Sequence, residues 1–314
     1  MAADSADGTT RSHTAFGRLL TAMVTPLTPS GDVDYGQAQR LAVALLDSGS
    51  DGVVVAGTTG EAPTLSAHEK IGLFRAVKEA VGSRGTVLAG TGTYNTAESI
   101  ELSREAERAG ADGLLLTVPY YSKPPQEGLF RHFEAIAAST NLPCVLYNIP
   151  GRTSVNMLPE TTTRLASITN IVGVKEASGS LDAVSKIVQD AGPDFRVWSG
   201  DDQMTLPLLA VGGYGVICVA SHLAGRQIKS MIEAHVDGRI DEAASLHRRL
   251  LPLMTALMTV ASNPIPVKHA LNKLGFAAGG VRLPLWDLDD AASGRLMAEV
   301  SRHQVDLPLG AAAH

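Results

Sequence analysis

The sequence predicts an α/β fold, a (β/α)8 TIM barrel with a C-terminal helical domain, and three observations carry this prediction. Eight short apolar runs recur along the chain, helical periodicity fills the segments between them, and strand-like runs stop after residue 238. Runs that are apolar at nearly every position are typical of parallel strands covered on both faces. Eight such units in about 200 residues favour a closed barrel over an open sheet.

The predicted strands follow one another at roughly regular intervals. They lie in the apolar runs at 20–27, 52–60, 86–95, 113–121, 143–150, 171–178, 195–202 and 215–222. Segments between them, such as 35–49 and 67–82, repeat apolar residues at helical spacing and end in glycine, which returns the chain to the next strand. An open doubly wound sheet is the alternative, but it would need a glycine-rich phosphate loop after its first strand, where TPSGDVD stands.

The chain after the eighth run has a different character. Its periodic segments at 240–260, 266–275 and 289–304 predict helices without intervening strands. We therefore divide the chain into an N-terminal extension (1–18), a catalytic barrel (19–238) and a C-terminal helical domain (239–314). The extension is small and polar, which predicts a mostly disordered segment.

Composition excludes several classes of protein. The 314 residues are 45% hydrophobic and 18% charged, which is enough to bury a large core. A net charge of −6, no basic stripe and few aromatic residues argue against a nucleic-acid partner. No signal-like or membrane-spanning run is present, so a cytoplasmic protein without a membrane partner is expected. Cys144 and Cys218 lie far apart in apolar runs, which predicts two buried free thiols.

Lys175 is the most informative polar residue, because it interrupts the apolar run IVGVKEA where a barrel strand should be buried. Burial of an unpaired ammonium is costly, so we expect the pKa of Lys175 to be lowered. A lysine that is partly neutral near pH 7 is a nucleophile that can condense with a ketone. The alternative is a structural lysine whose ammonium reaches a carboxylate such as Glu176.

Further polar residues stand at the carboxyl ends of the predicted strands, where barrel enzymes carry their active sites. Tyr147 could place its phenol beside the Lys175 amine and transfer the protons that a Schiff-base reaction requires, or it could only anchor a strand end. GTTGE (57–61) offers hydroxyls and backbone N–H groups ahead of a helix that begins near Ser66, which suits a carboxylate. In SGDD (199–202) we favour a helix cap over a metal site.

With these residues identified, the chain resembles the dihydrodipicolinate synthase family, within the superfamily of pyruvate-dependent class I aldolases and N-acetylneuraminate lyases. The shared motifs occur in the family's order and at its spacings: GTTGEAPTLS, GTGTYNTAESI, PYYSKPPQEGLFRHF, LYNIPGRTSVNMLPET, IVGVKEASG, SGDD and NPIPVK. The resemblance implies the same barrel and helical domain. It also implies a lyase that condenses pyruvate with L-aspartate 4-semialdehyde in the diaminopimelate route to L-lysine.

The resemblance also assigns the functional residues. The implied catalytic residues are Lys175, Tyr147, Thr58 and Tyr121. The implied substrate-binding residues are Thr59, Arg152, Ile217 and Gly200. Lys175 would form an imine with pyruvate, so neither a cofactor nor a metal is expected. Tyr121 would reach into the site of a neighbouring subunit, and the family implies a homotetramer built as a dimer of dimers.

Arg152 separates the implied synthase from its relatives. Sialic acid lyases and keto-deoxy-sugar-acid lyases share the tyrosine and lysine framework but accept a long polyhydroxylated chain. Here Arg152 follows YNIP, and its planar guanidinium suits the carboxylate of the aldehyde substrate. Two alternatives stay open, another pyruvate-dependent aldolase of the superfamily and a non-catalytic ligand-binding paralogue.

The resemblance finally indicates a degenerate effector site. Inhibited family members bind L-lysine through two histidines, an asparagine and a glutamate, and the matching positions here are Ala67, Lys70, Tyr94 and Glu98. Only the glutamate survives. Lys70 would bring a positive charge towards a cationic ligand and could pair with Glu98, so we expect weak inhibition by L-lysine.

Overall fold

The structure, a computed structural model, describes residues 16–308. In this part of the chain eight parallel strands close into a barrel in chain order, and the first strand pairs with the last. The strands are β1 Leu19–Ala22, β2 Gly52–Val55, β3 Thr86–Gly90, β4 Gly113–Thr117, β5 Cys144–Asn148, β6 Ile171–Glu176, β7 Arg196–Ser199 and β8 Gly215–Cys218. The predicted TIM barrel is confirmed.

Helices lie between successive strands and form the outer layer, and α9 to α12 follow the last strand. Within residues 16–308 they are α1 Tyr35–Asp47, α2 Ala67–Val81, α3 Thr96–Arg108, α4 Gln126–Ala137, α5 Pro150–Thr153, α6 Pro159–Leu165, α7 Leu181–Asp190, α8 Thr205–Ala210, α9 Ser221–Val236, α10 Ile240–Thr259, α11 Ile265–Lys273 and α12 Asp290–Val300. The helix predicted to begin near Ser66 does so, because Ser66 and Glu69 form a capping box at the start of α2.

Strand residues alternate between the two faces of the barrel wall. Residues such as Leu20, Val54 and Ile217 form a cluster inside the barrel, and their neighbours in sequence pack outwards against the helices. Because both faces are covered, the strands are apolar at nearly every position. The polar residues of the strands therefore carry the most information about function.

A bulge in β6 changes this alternation where it bears on the site. Ile171 and Val174 both belong to the outer cluster although they are three residues apart, and Val172 belongs to the inner cluster. The register with β5 shifts between Cys144 and Val145, so that Val145 lies opposite Gly173 and Val172 is the extra residue. An uninterrupted period of two from Ile171 would turn Lys175 outwards. The bulge instead turns it into the barrel.

The bottom of the barrel is closed by residues that the sequence analysis had assigned to the N-terminal extension. Phe16 is buried and packs against Trp198 with ring centroids 6.4 Å apart, and the Trp198 indole donates a hydrogen bond of 3.0 Å to the Gly17 carbonyl. The prediction of a disordered segment is therefore wrong for residues 16–18, because Phe16 fills apolar space that would otherwise be open to water. The rest of that prediction concerns residues 1–15, outside the described range.

The three predicted C-terminal helices are observed as α10, α11 and α12. The chain turns at Gly238, with φ of 79°, between α9 and α10, at the position where the sequence divides barrel from helical domain. The division into domains itself stays a prediction. Cys144 and Cys218 are free and buried, as predicted. None of the helices between residues 16 and 308 combines the length and apolar character that a bilayer crossing requires.

Candidate active site

Lys175 stands inside the barrel on β6 with only 5% of its surface exposed. Its neighbour across the strand pair is Tyr147, and the Lys175 Nζ lies 4.2 Å from the centroid of the Tyr147 ring. Burial lowers the pKa of Lys175 to about 8, with a smaller opposing contribution from Asp202. The expected shift towards a neutral amine is confirmed, and its main cause is loss of hydration.

The alternative of a structural ion pair with Glu176 is not supported. Glu176 accepts hydrogen bonds from Asn148 Nδ2 at 3.0 and 3.2 Å and from the Ser178 N–H at 2.7 Å. Its carboxylate is therefore satisfied by groups other than the lysine. Among residues 16–308, Lys175 forms no ion pair with any carboxylate.

Tyr147 is a buried phenol between Lys175 and the loop that follows β2. Burial raises its pKa well above the usual range, and the charge of Arg152 and the Thr58 hydroxyl oppose this rise. The phenol therefore keeps its proton at neutral pH and can act as an acid. Thr58 is half-buried and connects the phenol to the mouth of the barrel.

Thr59 and Arg152 are linked through one residue that the sequence analysis did not single out. Asn263, just before α11, donates from Nδ2 to Thr59 Oγ1 at 2.9 Å, and its carbonyl accepts from Arg152 Nη2 at 3.4 Å. The hydroxyl of Thr59 is thus free to donate its own proton to a ligand. The only sign of Asn263 in the sequence was its place in the shared motif NPIPVK.

Gly200 and Ile217 contribute space and backbone. A side chain at position 200 would lie 3.1 Å from Lys175 Cε and 2.7 Å from Ala177 Cβ, so only glycine leaves the lysine free to move. Ile217 is fully buried in β8, inside the barrel. The turn that follows it is held by Asp202, which accepts from the Val219 N–H at 3.0 Å.

The two aspartates of SGDD have separate structural roles. Asp201 accepts from the Gln203 N–H at 3.1 Å and caps the 3-10 helix Asp202–Met204, so the predicted cap is confirmed. Asp202 is buried and also accepts from the Ala220 N–H at 2.6 Å. Within the described range, no group of three or more His, Cys, Asp or Glu side chains is arranged to hold a metal ion.

A cavity of about 440 Å³ opens at the carboxyl ends of the strands. Thr58, Thr117 and Arg152 are among the residues that line it, so the cavity reaches the threonine whose hydroxyl acts on Tyr147. A carboxylate in this cavity would meet a guanidinium and hydroxyl groups. The arrangement suits an anionic ketone that is delivered to a buried amine.

Tyr121 is the one predicted catalytic residue that the fold does not bring to this site. The residue is 93% exposed and its φ is 74°, whereas Lys175 and Tyr147 are buried. A non-glycine residue at positive φ is uncommon, and here it directs a large aromatic side chain into solvent. A single chain therefore presents Tyr121 to something outside itself.

Three of the four predicted effector positions belong to the same cavity. Lys70, Tyr94 and Glu98 line it, whereas Ala67 is exposed at the start of α2. Burial lowers the pKa of Lys70, and the charge of Glu98 opposes this. The predicted pairing is wrong as a direct contact, because no ion pair joins Lys70 and Glu98 in the described range. The two side chains act on each other only through longer-range charge.

A second buried lysine, which the sequence did not single out, lies in the C-terminal helices. Lys268 on α11 is 1% exposed, and its Nζ lies 2.8 Å from Oε1 of the buried Glu61. The residues around it, IPVKHAL, are apolar on the face that packs against the barrel. That pattern was the available indication of its burial.

Three comparisons with known proteins agree. The sequence pattern of the dihydrodipicolinate synthetase family matches residues 15–303. A 4-hydroxy-tetrahydrodipicolinate synthase of Dehalococcoides mccartyi is 56% identical over 294 residues, covering 94% of this chain and 99% of that protein. The protein of the same name from Moorella thermoacetica is 61% identical over 270 residues, covering 86% and 92%. The crystal structure of the enzyme from Cyanidioschyzon merolae with lysine bound matches with a TM-score of 0.90 at 48% identity, covering 91% of this chain and 98% of that one.

Proposed function

The chain belongs to the dihydrodipicolinate synthetase family, and on that premise we propose that it works through an imine between Lys175 and pyruvate. It is a lyase with 4-hydroxy-tetrahydrodipicolinate synthase activity, in the diaminopimelate route to lysine. The relatives that share this name over nearly the whole chain favour the synthase over the two alternatives that the sequence left open.

The first steps use Lys175 and Tyr147, which lie buried side by side inside the barrel. The neutral Lys175 amine adds to the ketone carbon of pyruvate, and Tyr147 donates a proton to the carbinolamine hydroxyl, which leaves as water. Loss of a proton from the methyl carbon then gives an enamine. No cofactor takes part in this proposal, because the imine itself stabilises the carbanion.

The enamine carbon adds to the aldehyde carbon of L-aspartate 4-semialdehyde, and the new alkoxide takes up a proton from the relay. The amino group of the second substrate then attacks the imine carbon, closes the ring and releases Lys175. Thr58 links Tyr147 to the mouth of the barrel and continues the relay. We assign its outer end to Tyr121 of a neighbouring subunit.

The two substrates differ in where their carboxylates bind. We assign the carboxylate of pyruvate to the Thr59 hydroxyl and to backbone near Ile217, with Gly200 leaving room beside Lys175. The carboxylate of the aldehyde is assigned to Arg152, whose guanidinium lines the cavity and is held by the Asn263 carbonyl.

The observation that carries the proposal is a buried lysine with a pKa of about 8 that forms no ion pair within residues 16–308 and lies against the ring of a protonated phenol. Borohydride reduction in the presence of pyruvate, followed by intact-mass and peptide mass spectrometry, tests it. We expect one reduced pyruvate adduct per chain, on Lys175. An unchanged mass, or an adduct on another lysine such as Lys268, would contradict the imine at this position.

The oligomer is part of the same proposal. Because Tyr121 is 93% exposed at a positive φ of 74°, we propose a homotetramer built from dimers in which Tyr121 completes the partner's relay. Tyr121→Phe and Lys175→Ala subunits, each inactive alone, should regain part of the activity in verified mixed dimers. No recovery would argue against a shared site. The cytoplasmic location expected from the sequence stays a prediction.

A further inference from the structure

The loop that follows β2 has an unusual backbone for its composition. Ala56 and Glu61, at its two ends, are both non-glycine residues at positive φ, 53° and 58°. Such conformations are costly for side chains with a β-carbon and persist only where the surroundings hold them. Between them lie Thr58 and Thr59, which the proposed function uses for proton transfer and for pyruvate binding.

The side chain of Glu61 connects this loop to the C-terminal helices. It is 2% exposed, and its Oε1 accepts from Lys268 Nζ at 2.8 Å. Its Oε2 accepts from the backbone N–H of Arg282 at 2.9 Å, in the segment between α11 and α12. Both oxygens of one carboxylate are therefore held by the helical part of the chain.

Lys268 extends the connection to the other side of the loop. Its Nζ also donates to the Thr25 carbonyl at 2.9 Å, and the Thr25 hydroxyl donates to the Gly60 carbonyl at 2.7 Å. The ammonium thus joins the segment after β1 to the segment after β2. Every one of these groups is buried, so water does not compete for the hydrogen bonds.

A buried ion pair of this kind is a poor means of stabilising a fold, because the loss of hydration offsets the attraction and an apolar pair of similar volume does as well. Such a pair does fix positions, because the carboxylate and the ammonium each have several hydrogen-bond partners. The reaction needs that geometry, since a displacement of about 1 Å at a catalytic group can reduce the rate by about 100-fold.

We propose that Glu61 and Lys268 are positioning residues, a buried pair through which the C-terminal helices hold Thr58 against Tyr147 and Thr59 against pyruvate. Neither residue touches the reacting atoms. The inference rests on the proposed function, because it concerns the alignment of that site. On this proposal the C-terminal helices contribute to catalysis by holding the loop that follows β2.

The test removes both charges together. In the double variant Glu61→Gln/Lys268→Met no buried charge lacks a partner, so we expect the fold and its thermal midpoint to be close to those of the parent. Loop alignment should nevertheless be lost. We expect the pyruvate concentration for half-maximal borohydride trapping to rise by about tenfold and kcat to fall by about 10- to 100-fold.

Two readouts separate positioning from general damage. The KM for L-aspartate 4-semialdehyde should change less than the pyruvate concentration for half-maximal trapping, because Arg152 is connected to the loop only indirectly, through Asn263 and Thr59. Lys268→Arg, which keeps the charge beside Glu61, should retain most of the trapping. Lys186→Met, at an exposed lysine, controls for the loss of a lysine as such.

Each outcome decides the matter. Parental trapping and kcat in the folded double variant would overturn the inference, and so would a double variant that fails to fold, because the pair would then serve stability. A parent chain that traps no pyruvate would contradict the imine mechanism instead. The two failures are therefore distinguishable in one series of measurements.

Discussion

The barrel and the C-terminal helices each contain one buried lysine, and the two have opposite surroundings. Lys175 is 5% exposed, forms no ion pair among the described residues, and has a pKa of about 8. Lys268 is 1% exposed and lies 2.8 Å from a buried carboxylate; burial lowers its pKa, and the charge of that carboxylate opposes the lowering. Burial alone therefore does not produce a nucleophile. The direct ion pair makes the difference, because Lys268 has one and Lys175 has none among the described residues.

The difference follows from what each environment does to the two protonation states. A carboxylate beside Lys268 favours the ammonium, which is a good donor and a poor nucleophile. At Lys175, whose amine lies over the ring of Tyr147, burial disfavours the ammonium, and the charge of Asp202 opposes this only in part. One site holds a cation, and the other releases a proton. Replacing each lysine by methionine tests this difference.

The largest effect is expected for Lys175→Met. Because the amine is the nucleophile, kcat should fall by about 10⁴-fold or more, as for other residues that act through a covalent intermediate. The free energy of unfolding should change by less than about 1 kcal/mol, since no ion pair is broken. Steady-state assay and urea unfolding measure the two quantities. Substantial residual turnover in pure variant would assign the nucleophile elsewhere.

Lys268→Met should show the opposite division. The substitution leaves Glu61 buried without its cation, so the free energy of unfolding should fall by about 3–5 kcal/mol. Urea unfolding under the conditions used for Lys175→Met measures the loss directly. If both variants lose the same stability, the two lysines do not differ in pairing and the comparison fails.

Arg152→Ala tests which of the two substrates has its carboxylate bound by the guanidinium. The KM for L-aspartate 4-semialdehyde should rise by about 10- to 150-fold, the equivalent of about 1.5–3 kcal/mol for a charge-assisted hydrogen bond, with a much smaller change for pyruvate. Steady-state kinetics with each substrate varied in turn provides the measurement. Equal damage to both constants would give Arg152 a structural role.

The pH dependence of trapping reports on Lys175 itself. With a pKa of about 8, the amine is protonated and unreactive at low pH and becomes neutral as the pH rises through 8. The trapping rate at subsaturating pyruvate should therefore rise about fivefold from pH 7 to pH 8 and level off near pH 9. A rate that keeps rising to pH 10 would indicate an ordinary lysine pKa.

The smallest effect is expected at Lys70, which is intermediate between the two buried lysines. It is half-buried, and Glu98 acts on it without direct contact. Repulsion of a cationic ligand should leave L-lysine a weak inhibitor, with half-inhibition above about 1 mM, where binding is worth about 4 kcal/mol. An inhibition curve at subsaturating pyruvate measures it. Lys70→Met should make the protein more sensitive to L-lysine. Strong inhibition of the parent would show that the charge of Lys70 does not exclude the ligand.

Much of the molecule could be predicted from the sequence because the responsible patterns are local. Apolar runs with glycine-terminated helical segments between them predicted all eight strands, and a charged residue in the sixth run predicted Lys175 with its lowered pKa. The cap at Asp201 and the start of α2 at Ser66 followed from residue types at adjacent positions. Helix caps and the burial pattern of a strand depend on a few consecutive residues.

Other features depend on residues that are far apart in the chain. Lys268 and Glu61 are separated by 207 positions, and no periodicity indicates that an ammonium and a carboxylate will meet inside the protein. The exposure of Tyr121 likewise depends on the tertiary structure, because its neighbours in sequence do not indicate whether its side chain is covered. Such pairings arise from the closure of the barrel and the return of the C-terminal helices over it.

The sequence by itself determined which residues could carry the chemistry, because a lysine in an apolar strand and hydroxyls at strand ends are properties of short segments. The tertiary structure decided where those residues point. Strict alternation along β6 would have turned Lys175 outwards, and a bulge at Val172, defined by pairing with β5, turned it towards Tyr147. Register is a relation between two strands, so one strand's sequence does not specify it.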